Sequence, residues 1–309
     1  MILTVTLNPS VDRSYRVDNF QIGKVFRADE ENFVAGGKGI NVTKVIRALG
    51  EEVKATGFLG GKSGEFIEEE LKKNGVDTEF IRIKGETRTC IAILDPIAGT
   101  QTEILEKGPE VSSKEFEEFL KHFKDISKGC EIVVASGSLP AGLSVNTYEM
   151  LIKIAKENEA KFILDTSGIY LEKALNAKPF MIKPNKEELE KLIEKSLNDI
   201  NEIKKAAVSL HDRGIPYVVV SLGSEGAVIS CEEGVFMAIP PKIKAASPVG
   251  SGDAFTAGMA VAIKNGLNIK EALVLATACG AANALYFRTG FVTKEDVESL
   301  MKKVIVKRI

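Results

Sequence analysis

A doubly wound α/β fold is what this sequence predicts: a mostly parallel sheet with helices on both faces, plus a small antiparallel β lid. Short continuous apolar runs at Glu131–Ala135, Phe162–Leu164, Phe180–Ile182 and Val218–Leu222 read as strands. Continuous runs suit strands covered on both faces, as in a parallel sheet between helix layers. Amphipathic helices separate them, for example Lys186–Lys195 with Leu189, Leu192 and Ile193 on one face. Strands alternating with helices imply a doubly wound core. The third observation is a different texture at Ser14–Val34 and Thr87–Lys107, where polar and apolar residues alternate closely and Gly99 marks a turn. Alternation reads as antiparallel strands with one exposed face. The chain therefore divides into a core of residues 1–13, 35–86 and 108–309 and a lid of residues 14–34 and 87–107. An apolar lid face must be buried against substrate or a second copy, so a homodimer through the lid is expected.

Composition narrows the function. The 309 residues carry 41 basic and 43 acidic side chains, a formal charge of −2. That balance offers no general field for a nucleic-acid backbone or an anionic membrane, so any anion must be held locally. Cys90, Cys130, Cys231 and Cys279 are far apart, without a Cys-x-x-Cys pair, and only His122 and His211 are present. Zinc knuckles, disulfide frameworks and multi-histidine metal centres are excluded. The start, Met1–Leu7, has no basic n-region or cleavage site, and no run approaches the ~18 apolar residues of a membrane span. A cytoplasmic protein without membrane contact is expected.

Along the chain, Gly36-Gly37-Lys38-Gly39-Ile40-Asn41 feeds a helix marked by Val42, Val45, Ile46 and Leu49 and closed by Gly50. A glycine loop at a helix start presents free amides and positive dipole to hydroxyls or anions, and the bland alternative is a flexible hinge. Gly57–Ser63 ends like a P-loop but is one residue short, since Thr56 stands where glycine is required. A strand-to-helix turn is the better reading. Lys114–Lys124 is a charged helix on which His122 reads as solvated. Lys183-Pro184-Asn185-Lys186-Glu187-Glu188 follows a strand and opens a helix. Asn185 and Glu188 have the spacing of a capping pair, or they orient Mg²⁺ through water. Pro248-Val249-Gly250-Ser251-Gly252-Asp253 opens a largely apolar helix. Gly250 and Gly252 let successive amides converge as an anion nest. Alone, Asp253 would be a first-turn acid satisfying the dipole. Beside a phosphate nest, the pair suits phosphoryl transfer. Cys279 reads as a small core residue.

These motifs resemble the ribokinase-like, PfkB-type carbohydrate kinases along essentially the whole chain. Gly36-Gly37-Lys38-Gly39-x-Asn41 is similar to the first family signature and Gly250-Ser251-Gly252-Asp253 to the second. Lys183-Pro184-Asn185-x-x-Glu188 resembles the magnesium-linked motif, and Ser221-Leu222-Gly223-x-x-Gly226 the turn bordering ATP. The Thr6–Asp12 segment and the Gly-Lys-Gly form imply a substrate that is already phosphorylated. Gly85–Leu94 and Thr102–Pro109 look most like tagatose-6-phosphate kinases, whereas a 1-phosphofructokinase would carry asparagine where Cys90 stands.

The resemblance implies ATP and Mg²⁺ as cosubstrate and cofactor, and transfer to the C1 hydroxyl of a ketohexose 6-phosphate, tagatose 6-phosphate first. A 1-phosphofructokinase is the alternative, and a non-catalytic sugar-phosphate-binding regulator the alternative of another class. Asp253 is the implied base, with Gly250, Ser251 and Gly252 around the transferring group. Asp12, Gly37, Lys38, Asn41 and Arg88 are the implied sugar-phosphate ligands. Lys183, Asn185, Ser221, Gly223, Gly226 and Asn283 are the implied nucleotide contacts, and Asn185 and Glu188 the implied water-mediated magnesium ligands.

Overall fold

The computed structural model describes residues 1–309. In chain order the elements run β1 (Ile2–Thr6), β2 (Ser10–Arg16), β3 (Glu30–Gly36), α1 (Lys38–Ala48), β4 (Val53–Leu59), α2 (Gly61–Lys73) and β5 (Asp77–Arg82). There follow β6 (Arg88–Asp95), β7 (Thr100–Leu105), α3 (Ser113–Ile126), β8 (Ile132–Ser136), α4 (Thr147–Glu157), β9 (Lys161–Asp165), α5 (Gly168–Ala174) and β10 (Met181–Ile182). The last third comprises α6 (Lys186–Ile193), α7 (Ile200–Asp212), β11 (Tyr217–Ser221), β12 (Ala227–Cys231), β13 (Gly234–Ile239), α8 (Ser251–Lys264), α9 (Ile269–Asn283), α10 (Lys294–Met301) and β14 (Ile305–Arg308).

Ten strands form one sheet in the order β14-β13-β12-β11-β10-β9-β8-β1-β4-β5. The stretch from β11 to β5 is parallel, and β12, β13 and β14 extend it antiparallel. Successive residues of a strand point to opposite faces. Accordingly Ile132, Val134, Ile163 and Val219 enter one core of 42 buried residues, with α1, α8 and α9. Val133, Ala135, Phe162 and Val220 enter another of 36, with α3, α4 and α7. Two cores of similar size leave no polar face on the central strands, which is why their sequences are continuously apolar.

The second sheet has the order β3-β2-β6-β7. It is antiparallel except at its centre, where β2 and β6 run parallel. Its strands do not begin where alternation alone suggests: β2 starts at Ser10 and β3 ends at Gly36, so boundaries at 13/14 and 34/35 fall inside strands. Asp12 and Ala35 thus belong to the second sheet. No helix is long and apolar enough to cross a membrane. The four cysteines are free and buried.

At Gly57–Ser63 the turn reading holds. The Glu86 carboxylate accepts from the amides of Lys62 (3.2 Å) and Ser63 (2.7 Å), so the anion position at that helix start is taken by the chain itself. His122 is not simply solvated: its Nε2 lies 3.1 Å from the Glu79 carbonyl and 3.5 Å from the Glu79 carboxylate.

Candidate active site

The order of the parallel strands reverses at β1, because the chain moves from β1 to β4 and β5 on one side and later to β8 and β9 on the other. A doubly wound sheet opens a crevice beyond the C-terminal strand ends at such a point. Here those ends supply Asn8 after β1, Ser136 from β8, Asp165 from β9, Lys183 after β10 and Ser221 from β11, all lining one cleft of about 550 Å³. The second sheet covers it with Ser10, Asp12, Arg88 and Cys90. The starts of α1 and α8 close it with Gly37, Lys38, Asn41, Gly250, Gly252 and Asp253.

Asp253 stands in the first turn of α8 and is buried. Asn41 Nδ2, from α1, donates to its Oδ2 at 2.9 Å. Burial, and then the nearby charge of Asp165, push the Asp253 carboxyl up to about 6, against the pull of Lys38, Asn41 and Lys183. Asp165 is buried between two cations, with Lys183 Nζ 3.0 Å from its Oδ2 and Lys38 Nζ 3.6 Å from its Oδ1. Burial alone would raise the Asp165 carboxyl, but Lys183 and Lys38 outweigh it and hold it below the usual range. The same pair drives the Lys38 ammonium upward, Asp165 being the main cause. At neutral pH the cleft floor is therefore two lysines, one firmly ionised carboxylate and one carboxylate near its titration point.

At the start of α8, Gly250 is left-handed (φ 83°), a conformation glycine adopts without strain. A Cβ on Gly252 would lie 3.3 Å from Lys183 Nζ, so the ammonium rests beside the free amides of that turn. On the lid side, Ser10 Oγ donates to Asp12 Oδ1 (2.6 Å), and burial raises the Asp12 carboxyl. Arg88 lies across the mouth with Nε and Nη2 donating to the Asn8 carbonyl (3.3 and 2.9 Å) and Nη1 to the Glu106 carbonyl (2.9 Å). Two of its five N–H donors stay free, and its plane is fixed by main chain.

Polar satisfaction shows what the cleft is built for. Seven buried side-chain polar atoms lack a hydrogen-bond partner, and four of them, on Asn8, Asn41, Ser136 and Asp165, face this cleft. Buried polar atoms are almost always paired, so a cluster of orphans marks the place of a polar ligand.

The expected site residues do not all converge. Asp12, Gly37, Lys38, Asn41, Arg88, Lys183, Asn185, Glu188, Ser221, Gly250, Gly252 and Asp253 line the cleft. Ser251 is not among the lining residues, and its Oγ is one of the orphans. Gly223 lines a neighbouring hollow of about 500 Å³ shared with Asn185 and Ser221. Gly226 serves the turn between β11 and β12, where a Cβ would come within 1.9 Å of the Ala238 carbonyl.

Asn283 needs correction as a nucleotide contact. It is fully buried, donates to the Val249 carbonyl (2.8 Å) and accepts from the amides of Gly290 (2.9 Å) and Phe291 (3.3 Å). Its amide is spent on holding the loop before Gly250. Asn185 and Glu188 form the capping box of α6, each side chain bonded to the other's amide at 2.8–2.9 Å. That use leaves one Glu188 carboxylate oxygen without a partner on the chain. No group of three or more His, Cys, Asp or Glu is placed to cage a metal, so a cation here would keep most of its water, as Mg²⁺ does.

Sequence reasoning missed Asn8, Ser136 and Asp165. Their signal was positional: each is a polar residue at or just after the C-terminal end of an apolar parallel strand, the end that faces a ligand.

A family model described as pfkB family carbohydrate kinase matches residues 5–296. A tagatose-6-phosphate kinase of Staphylococcus epidermidis is 44% identical over 309 residues, 99% of each chain. The structure of phosphofructokinase-2 from Escherichia coli in complex with potassium superposes with a TM-score of 0.92, at 29% identity and 98% coverage of both chains. A ribokinase from Thermotoga maritima, 24% identical, shares the fold with a TM-score of 0.80 over 98% of this chain and 99% of that one.

Proposed function

The chain belongs to the pfkB family of carbohydrate kinases, and from that footing we propose that it phosphorylates the C1 hydroxyl of a ketohexose 6-phosphate, with tagatose 6-phosphate as the preferred acceptor. It is a sugar-phosphate kinase with ATP as phosphoryl donor. The observation that carries the reading is the buried Asp253 carboxylate, poised near pH 6 beside Asn41 and two lysines, in a cleft lined with orphaned polar atoms.

Asp253 takes the proton of the C1 hydroxyl as that oxygen attacks the γ-phosphorus. The new O1–P bond forms while the P–O bond to ADP breaks, and the electron pair leaves with ADP. A general base contributes most when its pKa lies near the working pH, which suits a carboxylate raised to about 6. Lys38, Lys183 and the amides at the α8 start face the negative charge of the transferring group. Asp165 holds both ammonium groups, Lys183 at 3.0 Å and Lys38 at 3.6 Å. The two free N–H donors of Arg88 match two oxygens of the sugar phosphate. Asp12, with the main chain at Gly37, binds sugar hydroxyls.

Magnesium, bound with ATP, shields phosphate charge. The free Glu188 oxygen, and Asn185 through water, would hold it. Since ATP and sugar phosphates are held in the cytoplasm, we infer that the enzyme works there. The outer face of the second sheet is read as a homodimer contact.

The test is ADP release with Mg·ATP and four acceptors: tagatose 6-phosphate, fructose 6-phosphate, fructose 1-phosphate and free fructose. Preference for tagatose 6-phosphate is expected. The two 6-phosphates differ only in the C4 configuration, so their ratio reports whether the site hydrogen-bonds that hydroxyl. Preference for fructose 1-phosphate would overturn the acceptor and make the enzyme a 1-phosphofructokinase. Turnover of none of them would overturn the substrate class.

A further inference from the structure

An ion pair outside the cleft grips the strand that carries the sugar loop. In an extended strand, a residue's N–H and C=O point to the same side, so an edge strand offers both to whatever flanks it. β3 is the edge of the second sheet, paired only with β2. At Ala35 the open side is filled from the core: Glu70 Oε2, on α2, accepts from the Ala35 amide at 2.7 Å, and Lys44 Nζ, on α1, donates to the Ala35 carbonyl. Lys44 and Glu70 pair with each other at 3.4 Å. Both are largely buried, with side chains 14% and 22% exposed. Ala35 itself is fully buried.

The next residue is Gly36, where an added Cβ would overlap the Asp12 carboxylate (2.1 Å from Cγ). Asp12 therefore rests directly on the Gly36 main chain. Gly37 and Lys38 follow within one turn of Ala35, and both line the cleft. A shift of Ala35 along or across the strand would carry Gly36 into Asp12 or away from it. The core would hold without this pair, because α1 and α2 already bury Val42, Val45, Ile46, Ile67 and Leu71. What the pair adds is a fixed height for one main-chain unit.

We propose that Lys44 and Glu70 are positioning residues for the sugar half of the site: together they hold both main-chain polar groups of Ala35, and so set where Gly36 seats the Asp12 carboxylate. The proposal rests on the reading of Asp12 and Arg88 as sugar-phosphate ligands. Neither charged residue lines the cleft. The nucleotide half, built on α6 and α8, does not depend on them.

The test compares Glu70→Ala, Glu70→Gln and Lys44→Met, with Asp12→Ala and Arg88→Ala as controls for the sugar site. Glu70→Gln keeps an oxygen to accept from the Ala35 amide, whereas Glu70→Ala and Lys44→Met each remove one hold. A hydrogen bond to a charged group is worth about a tenfold effect or somewhat more, so Glu70→Ala and Lys44→Met should raise the KM for the sugar phosphate about tenfold. The KM for ATP should stay unchanged and kcat should change by no more than about threefold. Glu70→Gln should sit close to the parent enzyme, and exchange of the Ala35 amide should quicken in Glu70→Ala but not in Glu70→Gln. An unchanged sugar KM in folded Glu70→Ala overturns the proposal. So does a parallel rise in both KM values with no rescue by glutamine, or failure of both Glu70→Ala and Lys44→Met to fold, since the pair would then serve the core. If Asp12→Ala and Arg88→Ala leave the sugar KM untouched, the underlying site assignment fails instead, and is seen to fail separately.

Discussion

Asp253 is held in a form that costs the free protein stability, and this gives it a recognisable pH signature. Its carboxyl titrates at about 6 in the fold against 3.8 in the unfolded chain. A raised carboxyl pKa means that the folded state binds the proton more tightly. The stabilising contribution is therefore complete below pH 3.8 and is lost as pH rises from there through 6. One unit is worth about 1.4 kcal/mol, so with the carboxyl raised from 3.8 to about 6 the ionised carboxylate costs the fold on the order of 3 kcal/mol at pH 8. Asp253→Asn should be more thermostable than the parent at pH 8 and lose that advantage towards pH 4, while turnover falls about 10³-fold. For the parent, kcat/KM should drop below pH 6 as the base protonates. A variant no more stable at pH 8 than its parent, or one with near-normal turnover, would remove this role. At the same scale the sequence was legible where a residue type and a motif coincide, as at Lys38, Asn41 and Asp253. Asp165 was not. An aspartate after Phe162-Ile163-Leu164 looks like any polar strand end, and its meaning comes only from Lys38 and Lys183, which arrive from two other elements.

Among the elements, the strands and helices of the core could be read because burial on both faces writes one continuous apolar pattern. The second sheet was only half legible. Alternation in Thr89–Leu94 gives the two faces of a strand, but not its neighbour or their relative direction. The parallel pairing of β2 with β6 joins segments far apart in the chain, and nothing local encodes it. One residue does tie the sheet's loops together. The buried Asp95 accepts from the amides of Asn19 (3.1 Å), Phe20 (2.8 Å), Ile97 (3.0 Å) and Ala98 (3.0 Å). These bonds, that from Ala98 first, keep its carboxyl below the usual range, so the knot should persist at neutral pH and loosen only as pH falls through that lowered value. Asp95→Asn swaps one acceptor oxygen for a donor facing an N–H. Amide exchange should then quicken at residues 19–20 and 97–98 while β8 and β9 keep their protection. Because Arg88 and Cys90 lie on the strand that Asp95 ends, the sugar-phosphate KM should rise about threefold, in keeping with the loss of one or two hydrogen bonds remote from the substrate. Faster exchange throughout β8 and β9 would show instead that the knot holds the core.

For the whole molecule, the two faces of the second sheet differ in character. The cleft face carries Asp12, Ser14, Arg88, Cys90 and Glu103. On the opposite face, Tyr15 meets Phe33 edge-on at 6.5 Å and Arg13 stacks on Phe33 at 4.8 Å, with Ile93 opposite Tyr15 in register. Phe33 is 38% exposed and Ile104, on β7, 56% exposed. A four-stranded sheet with a wet apolar outer face is unusual in a monomer. A two-fold axis through that face would bury it against an identical copy, each residue meeting its own counterpart's neighbours. The consequence would reach chemistry, because in such a dimer β2 and β6 would carry the contact on one side and Asp12 and Arg88, the proposed sugar-phosphate ligands, on the other. Holding the sheet from outside would then help to hold those two side chains. The double variant Phe33→Glu, Ile104→Glu places four like charges in the paired interface. Sedimentation at micromolar concentration should find the parent as a dimer and the variant as a monomer. The monomer should keep its ATP KM, because the nucleotide side is built on the large sheet, and should show a sugar-phosphate KM raised about tenfold, the scale of losing one well-made contact to a charged ligand. A parent that sediments as a monomer, or a variant that stays dimeric, would sink the contact. A monomeric variant with an unchanged sugar KM would keep the dimer but cut its link to the site.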